Sequence, residues 1–164
     1  LYIRDKSVVE PILLGGGQEF GLRASTANVP GVAAFAAACA EISPWSTAIR
    51  NEFELRLLDA LDDIEVVGKN SPRLPNTSCI RFAGCEADGL LMGLDISGIG
   101  VSTGSACSTG SIEPSRILMA MGFSTEEAKS CLRFSFPKVL SGDAIERVVD
   151  RVVALVHRAR EVRF

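Results

Sequence analysis

Histidine is almost absent from this sequence, and its cysteines never form a CxxC pair. His157 is the single histidine among 164 residues, and the five cysteines are spread along the chain. A structural zinc site needs four cysteine or histidine ligands, so we expect no metal site. His157 lies among arginines near the end of the last predicted helix, where basic side chains complement the helix dipole, and we assign it no catalytic role.

Long apolar runs and an excess of basic residues are also lacking. The longest strongly apolar run, Gly31 to Ala40, is far shorter than the ~20 residues that cross a bilayer. The net charge is -3, and the pI is about 5.2. We therefore expect neither a nucleic acid nor a membrane as the main partner. An odd number of cysteines without a visible secretory signal predicts reduced thiols and a cytoplasmic location.

The chain alternates between helical and strand patterns. Leu1 is not a methionine, and 1–4 resemble the end of a strand already under way, so we expect a fragment or a start further upstream. Because helices separate most strands, we predict an α/β or α+β domain of two layers. The patterns predict helices over 31–42, 43–61, 88–94, 114–122, from 124 and from 141, and strands at 64–67, 78–82, 98–101 and 132–136.

Cys107 lies in an unusual environment for a cysteine. It stands in the middle of VSTGSACSTGSIEPS, where small and polar residues surround it. Such a segment buries little, so we expect an exposed loop whose thiol reaches both a substrate and an acceptor. The loop alone leaves open that this cysteine is structural or incidental. For the other four cysteines, Cys39, Cys79, Cys85 and Cys131, helix, strand or turn context favours a buried or neutral role.

Two further features point to anion binding. Arg133 stands between Leu132 and Phe134 in an apolar strand, and arginine is suited to two-point binding of a carboxylate. The alternative is an arginine on the solvent side of an edge strand. The glycine-rich loop before the first helix, GGGQEFGLRASTANVPG, could hold a phosphate at a helix start. By itself it fits a connecting loop better.

Together these pieces resemble the group I cysteine desulfurases, which are pyridoxal-phosphate enzymes of aminotransferase class V with fold type I. The resemblance spans nearly the whole chain. It rests on four segments in matching order and spacing: GGGQEFGLRASTAN, LPNTSCIRF, STGSACSTGSIEPSRILMAMG and CLRFSF.

The resemblance implies a role for each candidate residue. Cys107 would take the sulfur of L-cysteine as a persulfide and release L-alanine. Arg133 would bind the substrate carboxylate, and Thr26 would contact the cofactor phosphate of the partner subunit in a homodimer. The sulfur would pass to a scaffold or carrier protein for iron–sulfur cluster assembly. By domain, 1–30 would be a remnant of the large cofactor-binding domain and 31–164 the small C-terminal α+β domain.

The resemblance also shows what this sequence lacks. The family's Schiff-base lysine lies in a histidine–lysine motif, and no lysine here, Lys6 included, has that context. We therefore expect the chain alone to bind little pyridoxal phosphate and to be inactive. Phe20 stands where the family usually has arginine, and Ser25 where it usually has glycine. Two alternatives remain: a related class V enzyme such as a selenocysteine lyase, and a non-enzymatic sulfur-carrier or scaffold-binding domain.

Overall fold

The computed structural model describes residues 3–5, 9–41, 44–103 and 114–162. The chain divides into two compact units, Leu1–Pro44 and Trp45–Phe164. No helix in the described part combines the length and apolar character needed to span a bilayer.

The described residues of the first unit include a short 3-10 turn, Gln18–Gly21, and helix α1, Val29–Ala40. The predicted cap of α1 is confirmed. The side chain of Asn28 accepts a hydrogen bond from the backbone N–H of Gly31 at 3.1 Å, and Pro30 occupies the first turn. Residues Ile3–Asp5 form no strand, so the strand expected at the chain start is not seen in its described part.

The second unit packs helices on a small antiparallel sheet. Its strands lie in the order β1-β2-β4-β3, and each adjacent pair is antiparallel. The elements in chain order are α2 (Ala48–Ala60), β1 (Ile64–Val66), β2 (Thr77–Phe82), α3 (Ala87–Ile96), β3 (Ser102–Thr103), α4 (Arg116–Ala120), α5 (Thr125–Lys129), β4 (Cys131–Ser135) and α6 (Gly142–Glu161). This mixed architecture confirms the predicted fold class.

One face of the sheet carries the main hydrophobic core. Helices α2, α3 and α6 pack there, and Phe53, Ile80, Phe82 and Leu132 are fully buried. Helix α6 presents the predicted apolar face, with Ile145, Val149, Val152 and Val156 buried. Its N-terminus is capped as predicted, because the Ser141 side chain accepts from the Ala144 N–H.

Several predicted boundaries are wrong. The strand predicted at 98–101 is not formed; β3 is Ser102–Thr103. Gly98 has φ +75 and ends α3, and the N–H of Ile99 donates to the carbonyl of Leu94, so this segment completes the helix cap. Helix α2 begins at Ala48, because Ser46 Oγ accepts from the Ala48 N–H and stabilises a local turn.

Smaller shifts occur at several other elements, among them α4 and β4. Helix α4 begins at Arg116 and ends at Ala120, inside the predicted 114–122, and Ser115 is its cap. Strand β4 lies one residue earlier than predicted, at Cys131–Ser135. The capping box predicted at Ser124 and Glu127 is confirmed.

Candidate functional site

Arg133 is held on an interior strand. Strand β4 lies between β2 and β3. The alternative that placed Arg133 on an edge strand is therefore wrong. Residues alternate across the strand: Leu132 and Phe134 point into the core, and Arg133 and Ser135 are exposed on the opposite face. The apolar neighbours of Arg133 thus anchor the strand while the guanidinium stays accessible.

Aromatic packing fixes the position of this strand. The Phe53 ring lies 4.8 Å from the Phe134 ring and 5.1 Å from the Phe136 ring, centroid to centroid. Phe82 adds an edge contact to Phe134 at 6.4 Å. Aromatic pairs in such geometry stabilise beyond the area they bury. The backbone of Arg133 is therefore supported by a rigid core on its far side.

The register of the sheet defines the neighbours of Arg133. It lies opposite Cys79 on β2 and opposite Ser102 on β3, and directly opposed residues share a face. The other arginine of this face, Arg81, pairs with Glu65 at 3.0 Å. Within the described ranges no carboxylate forms an ion pair with Arg133. This arrangement is suited to binding a small anion.

A second, smaller hydrophobic cluster lies on the Arg133 face. Helices α4 and α5 contribute Leu118 and Ala128, which pack with Val67 and Cys131; Cys79 and Phe123 are partly buried against them. Cys131 is fully buried, and its Sγ donates to the carbonyl of Glu127 at 3.2 Å. This cluster thus covers part of the face on which Arg133 lies.

The predicted nucleophile, Cys107, lies outside the described residues, as do its neighbours 104–113. The described residues on either side are well anchored. Thr103 pairs with Leu132 in the sheet, and the Ser115 side chain accepts from the Leu118 N–H at 3.5 Å. The attachment point before the segment therefore lies on a strand that pairs with β4, and the one after it caps α4, which packs on α5.

Thr26 lies in the first unit, and it is exposed two residues before the cap of α1. Its carbonyl accepts a hydrogen bond from the Arg23 guanidinium at 3.0 Å, and the same Nη1 atom donates to the Ala24 carbonyl at 3.1 Å. The segment just before α1 thus folds back on the Arg23 side chain, which holds two of its carbonyl groups. The hydroxyl of Thr26 is of a type that binds phosphate near a helix start.

The two departures from the family pattern lie in strained backbone. Phe20 has φ +60 and Ser25 has φ +81, a region in which glycine is favoured and other residues are uncommon. Glycine, which the family usually has at the Ser25 position, would adopt this conformation without strain. We have no physical account of why serine is present there.

The structure also brings together residues that the sequence did not link. Cys79 and Cys131 come from different strands and lie diagonally from each other on the face that carries Arg133. Hydrogen bonding to Cys131, helped by the Arg133 charge, lowers the pKa of Cys79 despite its burial. Hydrogen bonding to Cys79 and burial raise the pKa of Cys131. Of the four cysteines expected to have a buried or neutral role, Cys85 and Cys131 are buried, whereas Cys39 is exposed on α1.

Solved structures with the same architecture define the class of fold. A NifS-like protein from Rickettsia africae has a TM-score of 0.67 and 30% identity, covering 90% of this chain and 40% of that chain. A structure described as SspA in complex with cysteine has a TM-score of 0.56 and 29% identity, covering 85% of this chain and 40% of that chain. The fold is that of NifS-like enzymes.

Sequence comparison gives the family. The profile of the aminotransferase class-V family matches residues 1–148, and the chain belongs to this family. A cysteine desulfurase from a Nostoc species is 40% identical over 98% of the chain. The chain spans about 42% of the length of that relative.

The family implies pyridoxal phosphate, and the described residues do not fit this cofactor as a complete site. The cofactor needs a lysine for covalent attachment. The described part of Leu1–Pro44 contains Thr26 and Arg23 but no lysine, and Lys6 lies outside it. The lysines of the second unit are Lys69, Lys129 and Lys138, none of which follows a histidine. Among the residues that the structure describes, no three histidine, cysteine, aspartate or glutamate side chains are grouped so that they could hold a metal ion.

Proposed function

We propose that this chain carries the sulfur-accepting part of a cysteine desulfurase. L-Cysteine and the Cys107 thiol would become L-alanine and a Cys107 persulfide. The carbon–sulfur bond of the substrate is broken, a sulfur–sulfur bond is formed, and a hydrogen replaces sulfur on the substrate carbon. Relatives named cysteine desulfurase, similar over nearly the whole chain, support the proposal.

The observation that carries this proposal is the pairing of Arg133 with Ser102. Ser102 lies five residues before Cys107 in the sequence, and Thr103 pairs with Leu132. Cys107 follows Thr103 by four residues, which span at most about 14 Å of polypeptide. A carboxylate bound by Arg133 would therefore lie within the reach of the Cys107 thiol.

Arg133 is the residue that would orient the substrate. A guanidinium binds a carboxylate through two parallel hydrogen bonds, which fixes both its position and its direction. The charge of Arg133 has no ion-pair partner among the described carboxylates. Binding through the carboxylate leaves the thiol end of L-cysteine available to Cys107.

The remaining parts of the function extend beyond this chain. Pyridoxal phosphate would be held by the complete enzyme, where it supplies the electron sink that weakens the carbon–sulfur bond. Thr26 would contact the cofactor phosphate of the partner subunit in a homodimer. A cytoplasmic scaffold or carrier protein would take the sulfur for iron–sulfur cluster assembly.

Trapping the persulfide tests the proposal. The full-length enzyme containing this chain is incubated with L-cysteine, alkylated and mapped by mass spectrometry. We expect a persulfide on Cys107, and we expect Cys107→Ala to abolish alanine release. Cys39→Ala, which changes another cysteine, is the control and keeps full activity. Full alanine release by Cys107→Ala would contradict the proposal, and a strong preference for selenocysteine over cysteine would favour a selenocysteine lyase.

A further inference from the structure

The thiols of Cys79 and Cys131 form a pair with unequal exposure. Cys79 lies opposite Arg133 in the β2–β4 register, and Cys131 lies opposite Arg81, so the two cysteines are diagonal neighbours on one face. Both pack in the cluster formed by α4 and α5, where Cys131 is fully buried and Cys79 only partly. A reagent in solvent therefore reaches Cys79 first.

We propose that Cys79 and Cys131 form an oxidisable dithiol, in which Cys79 reacts with a hydroperoxide and Cys131 resolves the product to a disulfide. Redox-active cysteines are typically accessible thiolates beside a resolving thiol. Arg133 lies directly opposite Cys79, and its neighbour Cys131 together with the Arg133 charge lowers the pKa of Cys79. These contacts favour the thiolate, which is the nucleophilic form.

The reaction balances in two steps. The Cys79 thiolate attacks one peroxide oxygen, the oxygen–oxygen bond breaks, and the alcohol leaves with a proton, which gives a sulfenic acid. The Cys131 sulfur then attacks the Cys79 sulfur, the sulfur–oxygen bond breaks, and water leaves with the Cys131 proton. Two thiols are oxidised to one disulfide, and one hydroperoxide is reduced to an alcohol and water.

The surroundings of Cys131 suit the second role. Its sulfur is protonated and donates to the carbonyl of Glu127 at 3.2 Å. Arg81 and Glu65, the charged groups facing Cys131, pair with each other at 3.0 Å. Diagonal residues have Cα atoms about 7–8 Å apart, slightly more than a disulfide spans. Closing the bond therefore needs a small local shift of Cys131, which is the first residue of β4 and precedes the aromatic contacts that hold Phe134.

Peptide mapping tests the dithiol directly. The reduced chain is treated with hydrogen peroxide, denatured in an alkylating agent and digested with trypsin. Cleavage after Arg73, Arg81, Lys129 and Arg133 isolates Cys79 in peptide 74–81 and Cys131 in peptide 130–133. We expect these two peptides joined by a disulfide before Cys39 or Cys85 is oxidised. Oxidation of Cys39 or Cys85 first, with no link between the two peptides, would overturn the proposal.

Variants separate the two roles. Cys79→Ser should lose the linked peptides and leave Cys131 reduced, because Cys131 is buried. Cys131→Ala should instead leave a sulfenic acid on Cys79, which dimedone captures. Cys39→Ser is the matched control and should form the link at the wild-type rate. If Cys131→Ala fails to fold, the wild-type chain still decides: the link should dominate in the native chain and be lost among other pairings when peroxide acts in urea.

Discussion

The Glu54 carboxylate and the Arg73 guanidinium form a two-point ion pair in the second unit. Arg73 Nη1 donates to Glu54 Oε1 at 2.6 Å, and Arg73 Nη2 donates to Glu54 Oε2 at 3.0 Å. Ser78 Oγ, on the core face of β2, also donates to Glu54 at 2.7 Å. The pair therefore ties α2 both to the connection after β1 and to the central sheet.

Removing one partner of this pair should destabilise the fold strongly. Glu54 is buried, so Arg73→Ala leaves its carboxylate without its main counter-charge, and losing one partner of a buried pair costs about 3–5 kcal/mol. Urea unfolding measures the change in the free energy of unfolding. The exposed pair of Arg56 and Glu52 is the control, because Arg56→Ala should cost about 0.3–0.5 kcal/mol. Equal effects at the two sites would contradict the prediction.

Acid should weaken the fold through Glu54. Burial acts to raise the pKa of Glu54, but hydrogen bonds from Arg73 and Ser78 outweigh it and hold the pKa below the usual 4.5. The ionised form is thus favoured in the folded chain, so its stabilisation is present above pH 4.5 and is lost as the pH falls through the folded value. Between pH 5 and 3, the wild type should lose more stability than Glu54→Gln. Parallel pH curves would contradict this.

Local signals explain which parts of the fold the sequence predicted. The capping box of Ser124 and Glu127, the cap at Ser141 and the apolar face of α6 depend on residues within a few positions of one another. The strand predicted at 98–101 failed because strand formation depends on a distant partner. The pairing of Thr103 with Leu132 decides where β3 lies. Gly98, with its positive φ, belongs to the C-terminal cap of α3 and is therefore not part of a strand.

The same distinction applies to the candidate site. The strand context of Arg133 was visible in the sequence, but its neighbours Cys79 and Ser102 follow from the register of three strands. The thiol pair could not be predicted either, because Cys79 and Cys131 are far apart in sequence. The roles of Cys107, Arg133 and Thr26 remain predictions from the family resemblance.

Two glycines of α3 should respond differently to alanine. A Cβ at Gly93 would lie 2.7 Å from Leu155 Cδ2, where α3 packs on α6, whereas a Cβ at Gly89 would meet no atom within 4 Å. Gly89→Ala should stabilise by about 0.5–1 kcal/mol, because glycine is unfavourable in helices. Gly93→Ala should give no gain or a loss, since Leu155 must move. Thermal unfolding of both variants checks this, and equal stabilisation would show that Leu155 adapts freely.

Alkaline pH should weaken the fold through Cys131. A hydrogen bond to Cys79 and burial raise the pKa of Cys131 above the usual 9.0, so the folded chain keeps a proton that the unfolded chain releases. That stabilisation is complete below pH 9 and is lost as the pH rises above it. The lowered pKa of Cys79 acts in the opposite direction. Cys131→Ala should flatten the decline between pH 9 and 10.5, and an unchanged slope would contradict the assignment.

Replacing Arg133 should impair substrate binding in the full-length enzyme. Arg133→Lys keeps the charge but loses the two-point geometry for a carboxylate. Losing a hydrogen bond to a charged group costs about 1.5–3 kcal/mol, which corresponds to at least about a tenfold rise in KM for L-cysteine. Steady-state alanine release measures KM and kcat separately, and we expect the change mainly in KM.

Arg81→Lys is the matched control for that experiment. Arg81 lies on the same face of the same sheet, but its guanidinium pairs with Glu65 at 3.0 Å, so we expect it not to bind the substrate. Its KM for L-cysteine should match the wild type, and thermal unfolding should show that both variants are folded. A tenfold change in both variants would indicate a general effect of the sheet. An unchanged KM in Arg133→Lys would show that another group binds the carboxylate.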